Sequence, residues 1–407
     1  MNPLENQRIC KQFPLLLISY ALNGGVNGLV IILYGLAIGF VIALIGYMKN
    51  RSTRNLFYDS TLGSDAIKYS IVAVIAAKNE ERVIETTVRS LLSRSPKTFR
   101  AIVVDDNSTD STYEILTELA KEYPNLVVQR NFDTPGKSGA LNVALDMIKE
   151  DIVLFLDADA RVDWDFVRKY SKLFDSPDIN VVFADFESYN QSRTLAVILQ
   201  DLYFSFIKAF VYSGLFSPTI FMNSGVFIRR QILDAVGKFD TQTLVDDFDL
   251  ALRLMKNKIK VKFIMGEKCK IQYALSLKDL FYQHCRWYTG GIKKIAKQIS
   301  QGRYLGILVF IAIGALTLFP VLMFILAYLL SAEYLLSVVL PFFLSILFSS
   351  TVTSYILHDG HRRKEMLINI ILGAPLAYFL FQIAIIFSLI HAFGKKSVWH
   401  KVIREKT

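Results

Sequence analysis

Four long apolar blocks frame this chain, and between the first and the second the pattern changes to short β-rich runs alternating with amphipathic stretches. Residues Val26 to Met48 read VNGLVIILYGLAIGFVIALIGYM without a charge, which at ~1.5 Å per residue is enough to cross a ~30 Å hydrocarbon core. The preceding stretch lacks the arrangement of a cleaved signal, so the block reads as an anchor. Leu305 to Leu330, Tyr334 to Leu357 and Leu367 to Phe393 are also long enough to span, and none contains Asp, Glu, Lys or Arg. Leu195 to Phe216 is apolar but holds Asp201 and Lys208, which favours an interfacial or buried helix. In the middle, YSIVAVIA (Tyr69 to Ala76), RAIVVDD (Arg100 to Asp106), NLVVQR (Asn125 to Arg130) and DIVLFLD (Asp151 to Asp157) read as strands. Nearly continuous apolar strands separated by helices predict a mostly parallel α/β sheet buried on both faces. The expected organisation is an N-terminal segment (1–25), a transmembrane helix (26–48), an α/β domain with interfacial helices (49–303), a membrane domain with three hydrophobic segments (304–394) and a basic tail (395–407).

The 407 residues carry a formal charge of +10 although 53% of them are apolar. Charge and apolar surface therefore belong to different segments. Lys49, Arg51 and Arg54 follow the first block, Lys293, Lys294, Lys297 and Arg303 precede the second, and His361-Arg362-Arg363-Lys364 lies two crossings later. By the positive-inside rule both flanks of the α/β domain are cytosolic, which predicts an integral protein of the cell (plasma) membrane. The tail conflicts with this frame: KKSVWHKVIREKT is basic but emerges on the other side if the last block crosses. Because the positive residues sit beside apolar blocks, they point to membrane lipids and not to nucleic acid. Three cysteines, Cys10, Cys269 and Cys285, have no metal-ligand spacing and suit a reducing compartment. Many Ile, Leu and Phe with few Gly and Pro exclude a disordered chain.

Parallel sheets bind ligands at the carboxyl ends of their strands. Those ends here are Lys78-Asn79-Glu80-Glu81, Asp105-Asp106-Asn107 and Asp157-Ala158-Asp159, which makes Asn79 and Glu80 candidate substrate contacts. If Asp157 and Asp159 lie on extended backbone, their side chains point the same way and can share one divalent cation. Alone, the pair also reads as a solvated turn, and Asp105 to Asp110 also reads as turn and cap chemistry. Asp246-Asp247-Phe248-Asp249 opens a predicted helix, DFDLALRLMKN; one acid there is ordinary capping, and three exceed it. Gln283-His284-Cys285-Arg286-Trp287 lies on a later predicted helix leading to the membrane, where an Arg-Trp pair alone reads as interfacial anchoring.

In this order the pieces resemble glycosyltransferase family 2, in its membrane-embedded branch of cellulose, chitin and hyaluronan synthases and ceramide glucosyltransferases. The likeness runs from about Ile71 to Gly291: Asp105-Asp106, Gly136-Lys137-Ser138-Gly139-Ala140-Leu141-Asn142, Asp157-Ala158-Asp159, Val245-Asp246-Asp247 in place of T-E-D, and Gln283, Arg286 and Trp287 of Q-x-x-R-W. It departs at Ala76, where the family usually has Pro, and at Asp246, where it usually has Glu. The resemblance implies a GT-A fold, a nucleotide-sugar donor, expected to be UDP-linked, and Mg²⁺ or Mn²⁺ held by Asp159 with Asp157 nearby. It further implies Asp105 and Asp106 at the base or ribose, Lys137 and Arg286 at the diphosphate, Gln283 and Trp287 on the substrate side, and Asp247 as general base. A single base and direct displacement invert the anomeric carbon. The expected reaction extends a polysaccharide; the alternatives are a single transfer to a lipid of ceramide or polyprenyl type, and a membrane scaffold with an inert nucleotide-sugar-binding domain. About four spans leave little room for a translocation channel without a homo-oligomer.

Overall fold

The computed structural model describes residues 51–62, 66–208, 224–300 and 380–392, with isolated positions 37, 41, 44–46, 48, 49, 212, 325 and 329. Most of the predicted spans, within 26–48 and 304–394, and the tail 395–407 lie outside the described residues. Among the described residues no helix is long and apolar enough to cross a membrane. The chain divides into two compact units, Met1–Tyr47 with Ile295–Ile385, and Met48–Lys294 with Ile386–Thr407. The second unit carries the sheet, and few residues of the first are described.

Seven strands form one sheet: β1 (Ile71–Ala77), β2 (Arg100–Asp105), β3 (Leu126–Arg130), β4 (Ile152–Asp157), β5 (Val181–Ser188), β6 (Val226–Arg229) and β7 (Val261–Ile271), in the order β3-β2-β1-β4-β6-β5-β7. β3, β2, β1 and β4 run parallel, as the continuous apolar runs predict. β6 is antiparallel to both neighbours, and β5 pairs with β7 in parallel, with an irregularity between Ala184 and Phe186. The chain builds outward from β1 through β2 to β3 and then returns to place β4 on the other side of β1. That reversal leaves a crevice at the carboxyl ends of β1 and β4.

The helices that follow the strands in the described residues include α1 (Ile84–Leu92), α2 (Thr112–Glu122), α3 (Lys137–Leu145), α4 (Trp164–Lys172), α5 (Leu195–Ile207), α6 (Arg230–Val236), α7 (Asp246–Lys256) and α8 (Leu277–Ser300). α3 packs on β1 and β2, and α4 on β7. Tyr170 of α4 centres a ring cluster with Phe57, Phe166 and Phe227. Phe57 comes from the helical segment 51–61, which Thr53 also ties to β7 by accepting from the Met265 N–H at 3.2 Å. α5 is the buried alternative for its apolar stretch. Leu199 and Gln200 are buried there, and Gln200 accepts from the Ala274 N–H at 2.7 Å.

Candidate active site

Side-chain hydrogen bonds lace three strand ends together. After β2, Asp106 is buried, and its carboxylate accepts from Lys78 Nζ (2.9 Å), Asn131 Nδ2 (2.8 Å) and the Gly136 N–H (2.9 Å). One side chain thus fastens the ends of β1 and β3 and the start of α3. Asn79, at φ 53°, accepts from the Thr109 N–H at 2.7 Å, while its own N–H donates to Ser108 Oγ at 2.9 Å. The Glu80 N–H donates to Thr112 Oγ1 at 2.7 Å. Asp105 is also buried. Its Oδ2 accepts from the Ser108 N–H (3.2 Å) and from Arg130 Nε (3.3 Å), and its Oδ1 has no hydrogen-bond partner among the described residues. Arg130 in turn lies over the Tyr113 ring, 4.1 Å from its centroid.

The start of α3 depends on a close approach. A Cβ on Gly139 would lie 1.8 Å from the Thr134 carbonyl oxygen, so only glycine lets the helix begin against the loop that Asn131 braces. Asn142, one turn on, exchanges two hydrogen bonds with the Phe239 backbone, at 2.9 and 2.8 Å. That pair ties α3 to the loop leading into α7. Lys137, the first residue of α3, then reaches Asp157 Oδ1 at 2.8 Å and Asp246 Oδ2 at 3.4 Å. Desolvation of the ammonium between these acids acts to lower the Lys137 pKa although the side chain as a whole is exposed, but the Asp157 and Asp246 carboxylates outweigh it and raise the value above that of an ordinary lysine.

Asp157 and Asp159 do not share the extended backbone that the apolar run predicts. β4 ends at Asp157, and the chain turns at once, with the Ala160 N–H donating to the Asp157 carbonyl at 3.0 Å. The pair therefore lies on a tight turn and not on extended backbone, so the period-two argument does not apply. Asp157 is partly exposed, its N–H held by Ser224 Oγ at 2.9 Å, and Asp159 is buried. No group of three or more His, Cys, Asp or Glu able to hold a metal occurs among the described residues. Two carboxylates on one turn nevertheless suit a hard cation that completes its shell with water and phosphate oxygens.

The acids that open α7 separate into different environments. Asp249 is buried in ion pairs with Arg253, at 3.0 Å, and with Lys294, which also reaches Asp240 at 3.0 Å. Asp247 is half-buried, with Oδ1 accepting from the Phe248 N–H at 2.8 Å. Burial first, and then the Asp246 charge, push its pKa up to about 7 against the opposing pull of Lys137. α8 approaches this loop through Gly290, where a Cβ would stand 2.7 Å from Val245 Cγ1. One turn earlier, Arg286 and Trp287 are half-buried. The Trp287 ring lies beside Tyr203, Phe204 and His284. Gln283 accepts from Gln200 Nε2 at 3.0 Å. His284 is buried, with its pKa lowered to about 4 by that burial, and its Nδ1 is 2.9 Å from the Leu280 carbonyl.

Lys137, Asp157, Asp246 and Asp247 are thus brought together. Asn79, Glu80, Asp105 and Asp106 form the neighbouring wall, and Gln283, Arg286 and Trp287 lie on α8. Arg130 and Asn131 escape a sequence reading, and the polar Gln129-Arg130-Asn131 run at a strand's carboxyl end is the signal that could have found them.

Residues 72–237 match the family model described as Glycosyl transferase family 2. The β-monoglucosyldiacylglycerol synthase of Synechocystis is 35% identical over 237 residues, 55% of this chain and 48% of the relative. The poly-β-1,6-N-acetyl-D-glucosamine synthase of Staphylococcus aureus is 27% identical over 224 residues, 54% of each chain. The chain thus spans about half the length of these curated relatives. The mannosyltransferase PcManGT of Pyrobaculum calidifontis, solved with GDP-Man and Mn²⁺, shares the fold at a TM-score of 0.52 and 15% identity, over 89% of this chain and 99% of its own.

Proposed function

From a chain whose residues 72–237 are a glycosyl transferase family 2 domain, we propose a membrane-surface, metal-dependent inverting glycosyltransferase that moves a sugar from a nucleotide donor, UDP-linked, to a lipid acceptor. The observation that carries the reading is the single ionic cluster of Asp157, Lys137 and Asp246 with the half-buried Asp247 beside it. Those residue types supply the two things that glycosyl transfer requires, charge balance for a departing diphosphate and a base for the incoming hydroxyl. Asp157 and Asp159 would hold Mg²⁺ or Mn²⁺, which when bound offsets negative charge on the diphosphate.

The protein's own groups do the rest. Lys137 and Arg286 present donors to phosphate oxygens. Asp105 is buried and acts on the nucleoside side through what it holds, the Ser108 N–H and Arg130. Asp106 acts through the backbone, holding the Gly136 N–H and Asn131 in place. Asp247 takes the acceptor's proton, and attack from its side displaces the diphosphate with inversion. Trp287 and its ring neighbours shape the apolar flank on which a lipid-linked acceptor rests.

The lipid acceptor is favoured over a growing polysaccharide by the higher identity to the glucosyldiacylglycerol synthase than to the polysaccharide synthase. The segment 51–61 supports placement at a membrane surface. It anchors Phe57 inward while Leu56 and Tyr58 stay exposed beside Arg51 and Arg54. Membranes carrying the protein, given labelled nucleotide sugars with Mg²⁺ or Mn²⁺, should yield labelled organic-soluble lipid. Label found only in high polymer would replace the lipid reading by the polysaccharide one, and no release of nucleoside diphosphate from any donor would end both.

A further inference from the structure

In this structure Asp157 pairs with a cation of the protein itself. Lys137 Nζ lies 2.8 Å from Asp157 Oδ1 and 3.4 Å from Asp246 Oδ2, so one ammonium joins the turn after β4 to the first turn of α7. Taking Asp157 and Asp159 as the ligands of a divalent ion, as proposed above, we infer that Lys137 is a built-in counter-ion that holds Asp157 until ion and nucleotide arrive together. The binding of each then depends on the other.

Three observations carry this. First, an ammonium in hydrogen-bond contact with a carboxylate oxygen both occupies that oxygen and repels a second cation brought to it. Second, the Lys137 side chain is 47% exposed, whereas Lys294, the other lysine bridging acids here, is 11% exposed. Lys294 is locked in place, and Lys137, with its flexible four-carbon stem, can swing. Third, Asp246 gives the ammonium a second anchor, so leaving Asp157 does not strand it. A nucleoside diphosphate brings oxygens that can take both the metal ion and the released ammonium. An ion arriving alone must displace Lys137 with no such compensation. Reciprocity of coupling requires that the diphosphate likewise gain from the ion.

The test titrates Mn²⁺ into the purified chain and follows the electron paramagnetic resonance signal of the free ion, with and without saturating UDP. For the wild type, weak binding of Mn²⁺ alone and much tighter binding with UDP are expected. Lys137→Met should bind Mn²⁺ alone about tenfold more tightly, equivalent to about 1.4 kcal/mol, and the gain from UDP should shrink by about the same factor. Lys137→Gln, neutral but still polar, should behave as Lys137→Met, and a cooperative thermal transition in both establishes that they are folded. Unchanged or weaker Mn²⁺ binding in both folded variants overturns the counter-ion role and leaves the metal reading standing. Failure of every variant to bind Mn²⁺ with UDP, or unchanged binding in Asp157→Asn, overturns the metal reading and the inference with it.

Discussion

Replacing Asp247 by asparagine tests catalysis and stability together, with opposite signs. The carboxyl group is lifted from the ordinary 3.8 to about 7 by burial and by the Asp246 charge, against Lys137 and the Phe248 N–H. A general base works ionised, so kcat/KM of the native protein should climb about tenfold per pH unit and level off above about 7. In Asp247→Asn that limb disappears and kcat falls by ~10²–10⁴, with nucleotide-sugar binding retained. The stability sign follows from linkage. The folded-state value lies above the unfolded one, so this group's contribution is fully present below the unfolded value and is lost as pH rises through about 7. At ~1.4 kcal/mol per pH unit the ionised group costs the fold roughly 4 kcal/mol in mildly alkaline solution. Asp247→Asn should therefore raise the thermal midpoint at pH ~8 and leave it unchanged at pH ~4.

Two companion variants check the cause. Asp246→Asn removes the neighbouring negative charge and should move the break in the pH–rate profile to lower pH. Lys137→Met removes the opposing cation and should move it to higher pH. The profile is measured as nucleoside diphosphate released from labelled donor across a pH series. A break that stays in place in both variants, or an Asp247→Asn protein that keeps more than about a tenth of native turnover, refutes the assignment of the base.

Asp249→Asn leaves Lys294 and Arg253 short of a charge partner and should lower stability by ~3–5 kcal/mol in urea unfolding, with kcat of the folded fraction retained. A loss of kcat there would place Asp249 in the chemistry. Gly139→Ala forces a Cβ to within 1.8 Å of the Thr134 oxygen, so the start of α3 must shift; nucleotide affinity should fall together with the thermal midpoint. Phe57→Ala removes a buried ring from the Tyr170 cluster and should cost ~3–5 kcal/mol in urea unfolding.

What the sequence discloses follows from where each element sits. β1, β2 and β4 lie inside the sheet, are covered on both faces, and are written in Val, Ile, Leu, Phe and Ala apart from their polar ends. β7 is an edge strand, and its Lys262, Glu267, Lys268 and Lys270 hide it from any search for apolar runs. β5 is interrupted by the buried Asp185, whose charge is answered by Lys208 at 2.6 Å from the far end of α5, a pairing that exists only after folding. The site divides in the same way. Motif order and residue types are local properties of the chain, so the acidic strand ends and the acids opening α7 stand out along the sequence itself. Their partners are set by tertiary contact. Lys137 lies 20 residues from Asp157 and bridges it to Asp246, which no local pattern encodes. Adjacency even misleads: Asp249 follows Asp247 by two positions, but two residues of helix are a rotation of ~200°. That rotation turns Asp249 toward Lys294 and Arg253, away from the Lys137 cluster, so the run of acids is one motif in sequence and two functions in space.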